Sequence, residues 1–273
     1  GIVDPSHRKK MLSPITKDIL LKYDLPGPRY TSYPTAPEWS TDVKASVYQA
    51  KLRDLAKNNK TLSVYIHLPF CQSLCYFCAC NVVIRRREER YADEYLAFLF
   101  QEIDTVGKLL GTRKRIRQLH WGGGTPNYLS ETQMERLFKK IEENFVVDFN
   151  GEIALEIDPR TIDKSQIKKL KALGFNRISM GIQDFDPQVQ NLINRIQPYE
   201  VVREVTDHCR ESGFHSINYD LIYGLPRQTK ESFQGTLEKV VRLKPDRLAL
   251  YSFAYVPWLK KHQTKLSAED LPT

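Results

Sequence analysis

Four of the five cysteines in this chain fall between positions 71 and 80: Cys71, Cys75, Cys78 and Cys80. The first three have the spacing C-x3-C-x2-C. Three thiolates on one loop can hold three irons of a [4Fe–4S] cube, where a closed electron-transfer cluster normally takes four cysteines. The iron left without a thiolate becomes a coordination site for a small molecule. Two other readings compete. Structural zinc usually comes as two separated C-x2-C pairs, which this run lacks. Cys80 as a fourth ligand would close the cube and block the open iron. A disulfide-stapled secreted protein would spread its cysteines along the chain, so the run reads as a metal site in a reducing compartment. Cys209 shares a helix face with Val202 and Val205 and reads as core.

Further polar residues follow short apolar runs. Gly122-Gly123-Gly124-Thr125 is a glycine segment whose backbone can approach a ligand closely and offer unobstructed N–H groups. It lacks the Gly-Lys-Ser/Thr ending of a phosphate loop. Glu156 and Asp220 come late in strand patterns, where an inward carboxylate needs a partner, such as ribose hydroxyls or an ammonium group. Gln183 and Arg195 can do complementary work, Arg195 by pairing with a carboxylate. Taken singly, Glu156, Asp220 or Arg195 could equally be part of a structural ion pair. His67 is open between ligand contact and core, and His120 and Trp121 read as strand packing.

The elements that must position these residues alternate from residue 61 onward. Strand patterns fall at Leu62–His67, Gln118–Trp121, Glu152–Ile157, Asn176–Met180, Ser216–Ile222 and Arg247–Phe253. Between them run helical stripes: Leu96, Leu99, Ile103 and Val106; Met134, Leu137, Phe138, Ile141 and Phe145; Phe233, Leu237, Val240 and Val241. Ser130 with Gln133 has capping-box spacing, and Asp186-Pro187 is a cap followed by proline at the first helical position. Arg85 to Arg90 reads as a solvated helix start. Such alternation predicts an α/β fold with parallel strands and right-handed crossovers: a partial (β/α)6 barrel with outer helices, its ligands at the carboxyl ends of the strands.

Residues 1–60 read as an N-terminal arm and helix, with Pro26–Pro34 too rich in proline for a helix. Residues 61–257 form the barrel. Residues 258–273 begin a further C-terminal region, and the missing helix after the sixth strand suggests a truncated piece of a longer protein. With 41 Lys and Arg against 33 Asp and Glu, the chain carries +8, which favours anionic partners. No stretch approaches the apolar length of a membrane span, and the basic residues Arg8, Lys9 and Lys10 have no apolar run behind them, so neither a membrane anchor nor a secretory signal is expected. The expected location is cytoplasmic. A zinc-knuckle nucleic-acid protein would need paired ligands and interleaved surface aromatics, and neither is evident.

The run Tyr65-Ile66-His67-Leu68-Pro69-Phe70-Cys71 resembles the cluster loop of radical S-adenosylmethionine enzymes. A longer set is more specific: Cys75-Tyr76-Phe77-Cys78-Ala79-Cys80, His120 to Pro126, Met180 to Phe185, Asp220 to Pro226 and the Pro26–Pro34 arm. Together, from about residue 20 onward, they resemble the oxygen-independent coproporphyrinogen III oxidase family. The resemblance implies Cys71, Cys75 and Cys78 as cluster ligands, with Cys80 and Tyr65 at the catalytic centre. It implies two S-adenosylmethionine molecules: Tyr65, Gly123 and Glu156 would contact the cluster-bound one, and Phe77, Gly124, Thr125, Gln183, Arg195, Asp220 and Ala254 the second. The implied reaction turns two propionates of coproporphyrinogen III into vinyl groups, giving protoporphyrinogen IX in heme biosynthesis. A flavodoxin or ferredoxin would supply electrons to a monomeric enzyme. Related heme-transfer chaperones lack the counterpart of Cys80 and the proline-rich arm, both present here; another radical S-adenosylmethionine enzyme is the remaining alternative.

Overall fold

In the computed structural model, which describes residues 16–23, 35 and 38–272, the chain divides into two units, Gly1–Gln49 and Ala50–Thr273. The first unit contains helix α1 (Lys17–Tyr23) and the start of α2 (Ala45–Ala56). The Pro26–Pro34 arm lies outside the described residues.

The second unit is built on parallel strands. In chain order it runs β1 (Leu62–Leu68), β2 (Phe70–Cys71), β3 (Val83–Ile84), α3 (Glu89–Leu110), β4 (Arg115–Gly123), α4 (Glu131–Asn144), β5 (Val146–Ile157) and α5 (Lys164–Ala172). It continues through β6 (Arg177–Gln183), α6 (Pro187–Leu192), α7 (Tyr199–Glu211), β7 (Ser216–Tyr223), α8 (Lys230–Leu243) and β8 (Arg247–Ser252). The main sheet has the order β1-β4-β5-β6-β7-β8 with every pair parallel. All six expected strands are present. Among the described residues no pairing joins β8 back to β1, so the sheet is an open six-stranded one flanked by helices.

Strand periodicity explains how one sheet serves both a core and a polar site. Ile66, Leu119, Trp121, Leu155, Ile178, Met180, Tyr219 and Leu221 alternate outward and share one apolar core with Leu96, Leu99, Met134, Leu137, Ile167, Val202 and Cys209 of the helices. The residues between them point the other way: Tyr65, His120, Glu156, Ser179, Gly181 and Asp220. Register lines these up laterally, with Tyr65 beside His120, Glu156 beside Ser179 and Gly181 beside Asp220.

Local signals hold where the backbone itself carries them. Ser130 and Gln133 form the full capping box of α4, and the Asp186 side chain accepts from the N–H groups of Gln188 and Val189. Arg87 is exposed at the start of α3, as expected, and its guanidinium also donates to the carbonyls of Tyr128 and Leu129, both at 3.0 Å, tying the start of α3 to the turn after β4. One expectation changes. The stripe on α8 is only half covered, since Val240 is buried while Val241 is 69% exposed. The edge strand β8 that follows α8 is likewise uncovered, with Leu248, Leu250 and Tyr251 exposed.

This division predicts unequal costs for similar truncations. Leu155→Ala, in the core, should lower the unfolding free energy by about 2–5 kcal/mol. Leu250→Ala, on the open edge, should change it by no more than about 0.5 kcal/mol. Denaturant unfolding of the two variants measures both; equal losses would contradict the assigned faces.

Candidate active site

The cysteine loop begins where β2 ends. β2 and β3 pair in parallel, Phe70 beside Val83 and Cys71 beside Ile84, so a two-residue ladder closes the loop at its base. The Val83 N–H donates to Pro69 O at 2.8 Å and the Arg85 N–H to Cys71 O at 2.9 Å. Farther out, the Tyr76 N–H donates to Ile193 O at 2.9 Å and the Asn194 amide to Leu74 O at 2.8 Å.

Cys71, Cys75, Phe77, Cys78 and Cys80 line a cavity of about 230 Å³ whose other walls include Gly123, Gly124, Thr125, Glu156, Gln183, Arg195 and Asp220. The cavity therefore sits at the carboxyl ends of β4, β5, β6 and β7, where the alternation predicts it. Two expected residues stand behind the lining. Tyr65 stacks on His120 with ring centroids 5.8 Å apart, and its hydroxyl meets His67 Nδ1 at 3.1 Å. Ala254 presents its carbonyl to the Gln263 amide at 3.2 Å, and the same amide donates to Phe77 O at 3.2 Å.

The glycines are there for space. A Cβ on Gly124 would stand 2.6 Å from Pro69 O, a backbone atom that cannot swing away. Gly123 has φ +117°, a conformation that suits only glycine, and a Cβ there would meet the His67 ring at 2.7 Å. Their N–H groups are not free, contrary to expectation. Gly123 donates to Glu156 Oε2 at 3.2 Å and Gly124 to Leu68 O at 2.8 Å. Glycine here lets β1 and β4 end in contact, and Glu156 is held from below by the same turn.

His120 corrects the strand-packing reading. Its Nε2 lies 3.2 Å from Glu156 Oε1, so it holds the carboxylate's other oxygen. Trp121 is packing, as expected, fully buried against Phe175. His67 bridges the Tyr65 hydroxyl and Asn81 O, the latter at 2.9 Å. Asp220 accepts from Asn218 at 2.8 Å and Ser179 at 3.2 Å, and burial raises its pKa against those two bonds.

The thiols differ in electrostatic setting. Burial pushes Cys71 up to about 11, partly offset by its contact with the Thr125 hydroxyl at 3.3 Å. Cys78 and Cys80 share a hydrogen bond that holds the proton on Cys78, raising it, and lowers Cys80. Cys75 faces two guanidiniums, Arg195 Nη1 at 3.6 Å and Arg160 Nη2 at 3.8 Å from its sulfur. Burial raises the Asp158 carboxyl, but Arg195 and Arg160 overcome that and hold it down at about 2.

Two groups of site residues carried no usable sequence signal. Arg160 follows β5 by three residues and looks like an ordinary loop cation. The segment after β8 returns to the cysteine loop and caps its carbonyls: His262 meets Cys78 O at 2.7 Å, Lys260 donates to Cys80 O at 3.3 Å, and buried Gln263 holds Phe77 O. Carbonyl capping has no residue signature, so only the folded chain displays it.

The donor set, three loop cysteines on one cavity, fits a cluster. A cube needs each thiolate to reach its own iron around a shared volume, which three loop cysteines on one cavity provide.

Comparison with known proteins agrees. Residues 65–240 match the model of the radical SAM superfamily. The chain belongs to that superfamily. Membership implies a [4Fe–4S] cluster and S-adenosylmethionine. Among relatives of this radical SAM chain, the oxygen-independent coproporphyrinogen III oxidase of Escherichia coli (strain K12) is 48% identical over 256 residues, covering 93% of this chain and 55% of that protein. The protein of that name from Synechocystis sp. is 47% identical over 256 residues, covering 93% and 54%. The solved structure of coproporphyrinogen III oxidase from Escherichia coli, described as a radical SAM enzyme, superposes with TM-score 0.85 at 45% identity over 93% of this chain and 56% of that one. The chain thus spans just over half the length of these relatives. The methyltransferase TsrM from Kitasatospora setae, at 16% identity and TM-score 0.52, shares the fold alone.

The charge balance around Asp158 predicts a pH-dependent stability difference. Its folded pKa lies below the ordinary aspartate value near 4, so its ionisation stabilises the fold above about pH 4 and that contribution is lost as pH falls toward about 2. Asp158→Asn should therefore lower the unfolding free energy at pH 7 by about 3 kcal/mol, leaving two buried guanidiniums without their carboxylate. The gap from wild type should close between about pH 4 and pH 2 in denaturant unfolding. A gap independent of pH would contradict the assignment.

Proposed function

We propose that the chain carries the radical-generating core of an oxygen-independent coproporphyrinogen III oxidase, converting two propionates of coproporphyrinogen III to the vinyl groups of protoporphyrinogen IX. One observation carries the reading: the three-cysteine loop, the glycine segment and the strand-end carboxylates wall a single cavity. The 48% and 47% identities to relatives of that name support this substrate. Cys71, Cys75 and Cys78 are the proposed cluster ligands. Burial keeps the Cys71 thiol protonated until iron displaces the proton, so loading releases acid. When bound, the cluster and S-adenosylmethionine supply reductive cleavage of a sulfonium and, from it, a 5′-deoxyadenosyl radical.

The chain's own residues bind and orient. Glu156, held by His120 and the Gly123 N–H, is fixed to accept hydrogen bonds from a ligand at the mouth of β5. Tyr65, whose pKa burial and the nearby Glu156 raise to about 12, stays a neutral hydroxyl and can donate beside Cys80. Tyr65, Gly123 and Glu156 are assigned to a cluster-bound S-adenosylmethionine. Phe77, Gly124, Thr125, Gln183, Arg195, Asp220 and Ala254 are assigned to a second molecule. Cys80, lowered by the Cys78 hydrogen bond and close to Tyr65, is assigned a catalytic role and not a fourth ligand.

Each decarboxylation removes a hydrogen atom from the propionate β-carbon, releases CO2 and gives up one further electron. The net charge of +8 suits a substrate with four carboxylates. A flavodoxin or ferredoxin is the proposed donor, and a cytoplasmic monomer the proposed state. Among the described residues no helix is long and apolar enough to cross a membrane.

Anaerobic reconstitution with iron and sulfide, followed by assay of 5′-deoxyadenosine and protoporphyrinogen, tests the reading. The expected result is 5′-deoxyadenosine formed in the presence of a reductant and dependent on each of Cys71, Cys75 and Cys78. A fully loaded chain that forms neither product would overturn it.

A further inference from the structure

Two guanidiniums stand against the sulfur of Cys75, and one carboxylate pairs with both of them. Arg195 and Arg160 approach that sulfur at 3.6 and 3.8 Å. Among the described residues the carboxylate that pairs with both is Asp158, whose Oδ2 lies 2.6 Å from Arg160 Nη2 and 3.6 Å from Arg195 Nη1. Side-chain exposure is 9% for Asp158, 9% for Arg195 and 18% for Arg160. Two guanidiniums against one carboxylate leave one positive charge in a place from which water is largely excluded, directed at the Cys75 sulfur.

Burying such a group is unfavourable unless something is gained, because a single Arg–Asp pair would already satisfy Asp158. Arg195 has separate work: its Nε and Nη2 donate to Gly181 O at 3.2 and 2.6 Å, fixing the end of β6. Arg160 has none beyond Asp158 and Cys75. Its Nε and Nη2 fork onto the carboxylate, and that fork aims Nη2 at the sulfur. Positive charge and N–H donors at a cluster thiolate make the cluster easier to reduce, because they stabilise the added electron.

We propose that Arg160 is a positioning residue that acts through Cys75, aimed by Asp158, to raise the reduction potential of the bound cluster. The inference rests on the reading that Cys75 holds an iron. It concerns how readily the centre accepts an electron from its donor, and it makes Asp158 and Arg160, which line the same cavity, part of the redox machinery.

The test is an EPR-monitored redox titration of the reconstituted chain, beside Arg160→Lys, Arg160→Gln and Arg160→Leu, with iron and sulfide content measured first. At the wild-type midpoint, Arg160→Leu should show a reduced-to-oxidised ratio about tenfold lower, a shift of about 59 mV to more negative potential for one electron. Arg160→Gln, which keeps an N–H donor without charge, should fall between Leu and Lys. Should Arg160→Leu fail to fold, the Lys-to-Gln step carries the same comparison, since it removes charge at nearly constant volume. Variants with full iron content and the wild-type midpoint would overturn the proposal. A wild-type chain that takes up no four-iron cluster would overturn the cluster reading itself, and this inference with it.

Discussion

A loop can bring three thiols to one volume only if its two ends are held together, and here a ladder of two residue pairs holds them. β2 and β3 pair Phe70 with Val83 and Cys71 with Ile84, and the glycine turn after β4 packs against the Pro69 carbonyl just upstream. The first cysteine is thus part of the ladder, and the others hang from a stem whose position is set by β1. The parallel sheet sets Glu156 beside Ser179 and Gly181 beside Asp220, and Glu156, Gln183 and Asp220 all reach the same cavity. Release of that stem would leave the strand-end carboxylates in place with nothing opposite them.

Much of this arrangement was legible in the sequence, and the reasons are physical. Strand alternation is a local property, so Glu156 and Asp220, polar residues among apolar ones late in β5 and β7, could be placed on the inner face before any contact was known. Caps are local as well, which is why Ser130 with Gln133 and Asp186 with Pro187 appear as expected. What escaped is what depends on distant partners. His120 reads as an ordinary strand residue until β5 brings Glu156 beside it. Arg87 is surface charge as read, but the Tyr128 carbonyl that it reaches has no mark in the sequence. Gln263 is an unremarked polar residue in sequence, yet it is fully buried and holds the cysteine loop from 186 positions away.

The site also shows how charge is managed where a metal group is expected. Glu156 and Asp220 receive neutral donors and one imidazole, leaving acceptor capacity toward the cavity. The opposite wall has the reverse balance, two guanidiniums for one carboxylate beside Cys75. A cavity with an anionic floor and a cationic flank suits a zwitterionic ligand next to thiolate-bound iron better than it suits a phosphate or a nucleic acid. Membership in the radical SAM superfamily and this polarity are independent lines, one from the chain's relatives and one from its folded charges.

The central claim is that three cysteines of one loop bind a four-iron cube and leave one iron open. Mössbauer spectroscopy of the chain reconstituted with 57Fe, recorded with and without S-adenosylmethionine, tests it most directly. The account predicts four irons per chain, with a single site whose isomer shift moves when the ligand is added, and the same spectrum from a Cys80→Ala variant. Four equivalent irons that ignore the ligand, or a cluster lost together with Cys80, would contradict it.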